Sequence, residues 1–158
     1  ERYGLKDKAV DFIKKLSKLT TGGLLSVWLV IRTLSAAFSL RLGGHVQFIR
    51  PIILPMAEGA AYVKFGEIDE KGEDEIKGAA AATENYGNFY GQNCFMGASG
   101  TLLIVSTLVA QGYEVDALQI AMASWPIAIV SMVVGIVMNF FVDRRLVARY
   151  AKKSPAAK

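Results

Sequence analysis

From Leu118 to Val142 the chain reads LQIAMASWPIAIVSMVVGIVMNFFV, with no charged residue. At about 1.5 Å of rise per residue, a helix over this stretch is long enough to cross a ~30 Å hydrocarbon core with some tilt. The alternative is a helix buried in a large soluble protein. A chain that is 53% hydrophobic with a mean hydropathy of +0.33 fits that alternative poorly. Charge is not scattered either. It sits at the two ends and in one central block.

The net charge of +4 does not point to nucleic acid, because the basic residues flank apolar segments rather than forming an aromatic-laced patch. One cysteine, Cys94, excludes an internal disulfide and reads as a small packing residue. The chain opens ERYGLKDK, with no basic, apolar, small-residue leader, and it reads as a fragment or processed form.

Residues 1–19 predict an amphipathic interfacial helix. Leu5, Ala9, Phe12, Ile13, Leu16 and Leu19 share one face, and Lys6, Lys14, Lys15 and Lys18 lie off it. Thr20 to Gly23 then break the pattern. The apolar segment that follows, LLSVWLVIRTLSAAFSL, is interrupted by Arg32. An arginine at membrane depth costs about 2.5–3.5 kcal/mol on insertion scales, so it faces protein or water. Ser35, Ala36, Ser39 and Gly43 share its face and are small, which suits packing on protein.

Residues 43–63, GGHVQFIRPIILPMAEGAAYV, mix membrane-like side chains with Pro51 and Pro55 and with His45, Gln47, Arg50 and Glu58. Prolines remove backbone donors, so this stretch predicts a discontinuous helix or a re-entrant hairpin, buried in protein or lining a cavity. Residues 64–78, with six acidic and three basic residues, read as a hydrophilic connection.

Lysine and arginine placement puts both ends in the cytoplasm and the basic-free loop at 111–117 outside. An even number of crossings follows: 22–42, a broken one at 44–62, one running through 80–110, and 118–142. The expected fold is an all-α membrane protein of about four segments, one or two of them broken or re-entrant. Its parts are the interfacial helix 1–19, a membrane domain 20–142, and a basic cytoplasmic tail 143–158.

TENYGNFYGQN, residues 83–93, places amides directly before an apolar run. On a helix continued backwards from Cys94–Ala110, Asn85, Asn88 and Gln92 share one face. Gly87, Gly91, Cys94 and Ala98 share the opposite one, with the GxxxG spacing that allows close helix approach. The amide face suits a neutral or anionic solute or a hydrated ion; equally, it suits helix caps or the broken backbone near Pro51. Arg32 and Arg50 offer guanidinium forks to a carboxylate, or pair with Glu58 or Glu84. His45 and Glu58 suit a proton relay or a structural role. No metal spacing, phosphate loop or activated nucleophile is present, so nothing supports an enzyme or a cofactor.

ERYGLKDKA, GGHVQFIRPIILPMAEGAA and AAATENYGNFYGQNCF together resemble a small-subunit family assigned to bacterial pyroglutamate (oxoproline) transport, long labelled a domain of unknown function. The likeness covers most of the chain, which resembles the family's C-terminal portion; Gly43–Ala61 is its most specific block. Gly44, His45, Gln47, Arg50, Pro51, Pro55, Glu58 and Gly59 match the motif. The resemblance implies a multi-pass bacterial inner-membrane protein working with a larger membrane subunit, and assigns no role to any one residue. The expectation is a subunit of a secondary transporter for a small organic anion, driven by protons or sodium. The candidate site is Arg32, His45, Gln47, Arg50, Glu58, Asn85, Asn88 and Gln92. The alternatives are a non-transporting membrane scaffold and, with less support, an intramembrane enzyme built on His45 and Glu58.

Overall fold

The computed structural model describes residues 19–40 and 42–151. Nearly all of the interfacial helix expected at 1–19 therefore lies outside the described residues, as do 152–158 of the tail. The described chain is all helical: α1 (Thr21–Ala37), a π-helical segment (His45–Ile53), α2 (Leu54–Phe65), α3 (Glu70–Gln92), α4 (Ser99–Ala110) and α5 (Ala117–Tyr150). Among the described residues α5, with 34 residues, is the helix both long and apolar enough to cross a membrane.

Helix α1 occupies the centre. Thr20 caps it, its Oγ1 accepting from Gly23 N at 3.1 Å. The buried side chains Leu24, Leu25, Trp28 and Leu29 pack it between α3 and α5. Glycines set the approach on both sides. A Cβ at Gly91 of α3 would lie 2.4 Å from the Thr33 carbonyl oxygen, and one at Gly22 only 2.1 Å from the Asn139 carbonyl oxygen of α5. The GxxxG face of α3 is thus used within the chain, against α1.

Three expectations need correction. The stretch expected as a discontinuous helix or a hairpin is one run of helix from His45 to Phe65, π-helical up to Ile53 and α-helical from Leu54. The π-helical turns run directly into α2, with Leu54 N donating to Ile49 O across the junction. Pro51 sits inside the π-helical turns and donates no bond to their ladder. Pro55 falls in the first α-helical turn after the junction.

The hydrophilic connection shrinks to Gly66–Asp69, because α3 already begins at Glu70. Asp69 caps it, accepting from Gly72 N at 3.0 Å, and Glu70 and Glu73 favour its positive end.

Residues 80–110 are not one helix. Asn93 Nδ2 donates to Phe89 O at 2.8 Å, and Thr101 Oγ1 donates to Phe95 O at 3.2 Å. These side chains take the place of ladder bonds, Gly97 and Gly100 weaken the helix further, and α4 restarts at Ser99. With 12 residues, about 18 Å, α4 falls short of a hydrocarbon core.

The last helix opens with a capping box between Asp116 and Gln119. It continues past Asp143, with Leu146 and Tyr150 buried in the main core. At that end Gly22 N donates to Asp143 Oδ1 at 2.9 Å, Thr20 Oγ1 donates to the same carboxylate, and Tyr150 Oη donates to Asp69.

Candidate functional site

Helices α1 and α3 are held close enough by Gly87 and Gly91 to bring a buried charge pair together. Arg32 Nε lies 2.6 Å from Glu84 Oε1, and both side chains are under a tenth exposed. Trp28 Nε1 donates to Glu84 Oε2 at 3.1 Å. Arg32 Nη2 donates to Asn88 Oδ1 at 2.6 Å. Glu84 lies next to the glycine face of α3, so it points at α1, while Asn88 stands beside it on the amide edge. The open choice of partner for Arg32 resolves to Glu84. Arg50 is exposed and makes no ion pair among the described residues.

Arg32 and Asn88 also form one wall of a cleft of about 240 Å³, with Ser39 and Gln92 further along it. A second cleft of about 390 Å³ shares Ala36, Ser39 and Gln92 with the first. It extends to Asn93 and to Ser99 and Gly100, where α4 starts. Ala98, the residue preceding α4, gives that N-terminus no side-chain cap. Its first N–H groups carry partial positive charge, and Ala98, Ser99 and Gly100 line the second cleft.

The structure brings together Arg32, Asn88 and Gln92. Asn85 and His45 line neither cleft and pair with each other instead, His45 Nε2 lying 3.0 Å from Asn85 Oδ1. An oxygen partner requires Nε2 to carry the proton. Gln47 and Arg50 are exposed on the π-helical segment, away from this wall. Glu58 stands among the charges of Glu73 and Lys77, and no contact joins it to His45 among the described residues. Sequence reasoning missed Trp28, whose indole N–H belongs to the charge cluster. A tryptophan one turn before an arginine in an apolar run was the available signal.

The family described as "Protein of unknown function (DUF969)" matches residues 1–147. The chain belongs to this family. The DUF969 match covers all of the charge cluster and both clefts, and it includes the Gly43–Ala61 block. No curated protein and no solved structure matches the chain.

Proposed function

We propose that this DUF969 chain is a subunit of an integral-membrane secondary transporter for a small organic anion, with pyroglutamate the first candidate by resemblance. One observation carries the reading: a buried guanidinium, held by Glu84 and Asn88, stands at the wall of a cleft between α1 and α3. A buried ion pair is weak as a stabilising device, and intramembrane ionisable groups mark solute paths. The uncapped start of α4 adds a second positive pole to the same continuous space. A carboxylate moving along it meets an arginine at one end and helix N–H groups at the other.

Uptake into vesicles holding the intact subunit and its larger partner tests this, using labelled pyroglutamate and a panel of small carboxylates. Asn88→Ala and Gln92→Ala keep the Arg32–Glu84 pair, so they are expected to assemble. Each should raise KM roughly tenfold, about 1.4 kcal/mol of lost contact. Uptake kinetics unchanged by both would leave the scaffold reading. That reading is favoured by the apolar surface α4 and α5 leave uncovered, such as Leu103 and Met122, 67% and 63% exposed.

The multi-pass arrangement belongs to the same proposal. The α4–α5 turn and Tyr150 lie at opposite ends of a 34-residue helix, about 51 Å apart. In a Cys94→Ala background, Glu114→Cys should react with a membrane-impermeant thiol reagent from outside and Ala148→Cys only from the cytoplasm. Both reacting from one side would end the topology.

A further inference from the structure

Asn139 interrupts the apolar run of α5, one turn before the charges that begin at Asp143. It is 4% exposed. Its Oδ1 accepts a long hydrogen bond of 3.4 Å from Thr83, and its Nδ2 has no partner among the described residues. A donor left unpaired in an apolar setting is costly, so a second group that accepts from it would be favoured.

The amide lines a notch of about 210 Å³ between α3 and α5, floored by Ala82 and Thr83 and flanked by Met138 and Val142. A Cβ built on Gly78, at its edge, meets nothing within 4 Å, so the space there is open. The notch is apolar towards Gly135 and charged at the other end. There Asp74, Glu75 and Arg145 line it, with the Glu75 carboxylate 2.6 Å from Arg145 and 3.4 Å from Arg149.

We infer that this notch seats one membrane phospholipid. The phosphate meets Arg145, an ester carbonyl accepts from Asn139 Nδ2, and the first methylenes follow Met138 and Gly135. The order of chemistry along the groove is that of a lipid read inwards: charge, then one buried donor, then only apolar wall. Six residues separate Asn139 from Arg145, about 9 Å of helix axis, a span that a glycerol and its phosphate bridge. The Arg145 guanidinium fork matches two oxygens of a phosphodiester. A partner helix, about 10–12 Å across, does not enter a notch of this volume, whereas an acyl chain does. The inference rests on the membrane reading above and is independent of the solute cleft.

The test is native mass spectrometry of the intact protein in mild detergent, titrated with dioleoylphosphatidylglycerol. Dioleoylglycerol, with the same esters and chains but no phosphate, serves as the control. The wild type is expected to hold one phospholipid and to bind the control at least tenfold more weakly. Asn139→Leu removes the donor at similar volume and should weaken the phospholipid about tenfold. Gly78→Phe fills the open space while replacing a helix-interior glycine, which favours the helix, and should abolish binding with helicity intact. Asn88→Ala should keep the lipid, so a failure of the solute site and a failure of the lipid site read out separately. A wild type that binds no phospholipid, equal binding by Gly78→Phe, or equal binding of dioleoylglycerol overturns the inference. So does a polypeptide partner cross-linking to position 139 in place of lipid.

Discussion

Glu84→Ala is expected to lose about 3–5 kcal/mol of stability, because it leaves Arg32 buried without its counter-charge. Two further partners change with it. Trp28 Nε1 loses its acceptor, and Asn88 alone is left to hold the guanidinium. Replacing both charges, Arg32→Met with Glu84→Leu, should recover most of that loss, since a well-packed apolar pair of similar volume needs no desolvation. Unfolding followed by circular dichroism in detergent, on both variants, measures the difference. The same double variant should abolish uptake, because it removes the guanidinium from the cleft while the fold persists. A Glu84→Ala protein as stable as the wild type would show the pair to be hydrated in solution.

Gly91→Ala should be as damaging as changes many times its size, for a different reason. The added methyl would stand 2.4 Å from the Thr33 carbonyl oxygen and 2.8 Å from the Ala36 Cβ. Neither atom belongs to a flexible side-chain end, so α1 and α3 must separate along the face that carries the charge pair. Overpacking of this kind costs typically 1–3 kcal/mol, and backbone contact places the site at the upper end. Gly78→Ala, on the same helix but in open space, should instead stabilise by up to about 1 kcal/mol. Thermal unfolding of the two variants side by side gives opposite signs if the packing is as described.

The glycine face was legible because spacing alone decides which residues of a helix share a side. The charge pair was half legible. Arg32 in an apolar run demands a partner, but the choice between Glu58 and Glu84 depends on how helices cross, which no local pattern encodes. The acid-rich stretch before TENYGNFYGQN misled because such composition suits both solvent and a capped helix. Asp69 at the cap and Lys77, which pairs with Glu73 at 3.3 Å, tilt it to the helix. The end of α1 at Ala37 had no sequence signal. Leu40 N turns back to Ser35 O at 2.7 Å, and Ser39 takes a positive φ of 56°, a conformation more usual for glycine or asparagine. Asn139 was visible as a lone amide in an apolar run, yet its missing partner is a fact of three-dimensional neighbours.

The bonds that finish the first described helix come from the last one. Gly22 and Thr20 reach Asp143 across 121 and 123 positions of chain, and Tyr150 reaches back to Asp69 across 81. During synthesis α1 therefore emerges with Gly22 N and the Thr20 hydroxyl still lacking their Asp143 acceptor, and they stay so until the ribosome has passed residue 143. Through that interval α1 and α3 pack without the bonds that α5 supplies. Long-range closures of this kind are slow to form and leave apolar surface open while they wait.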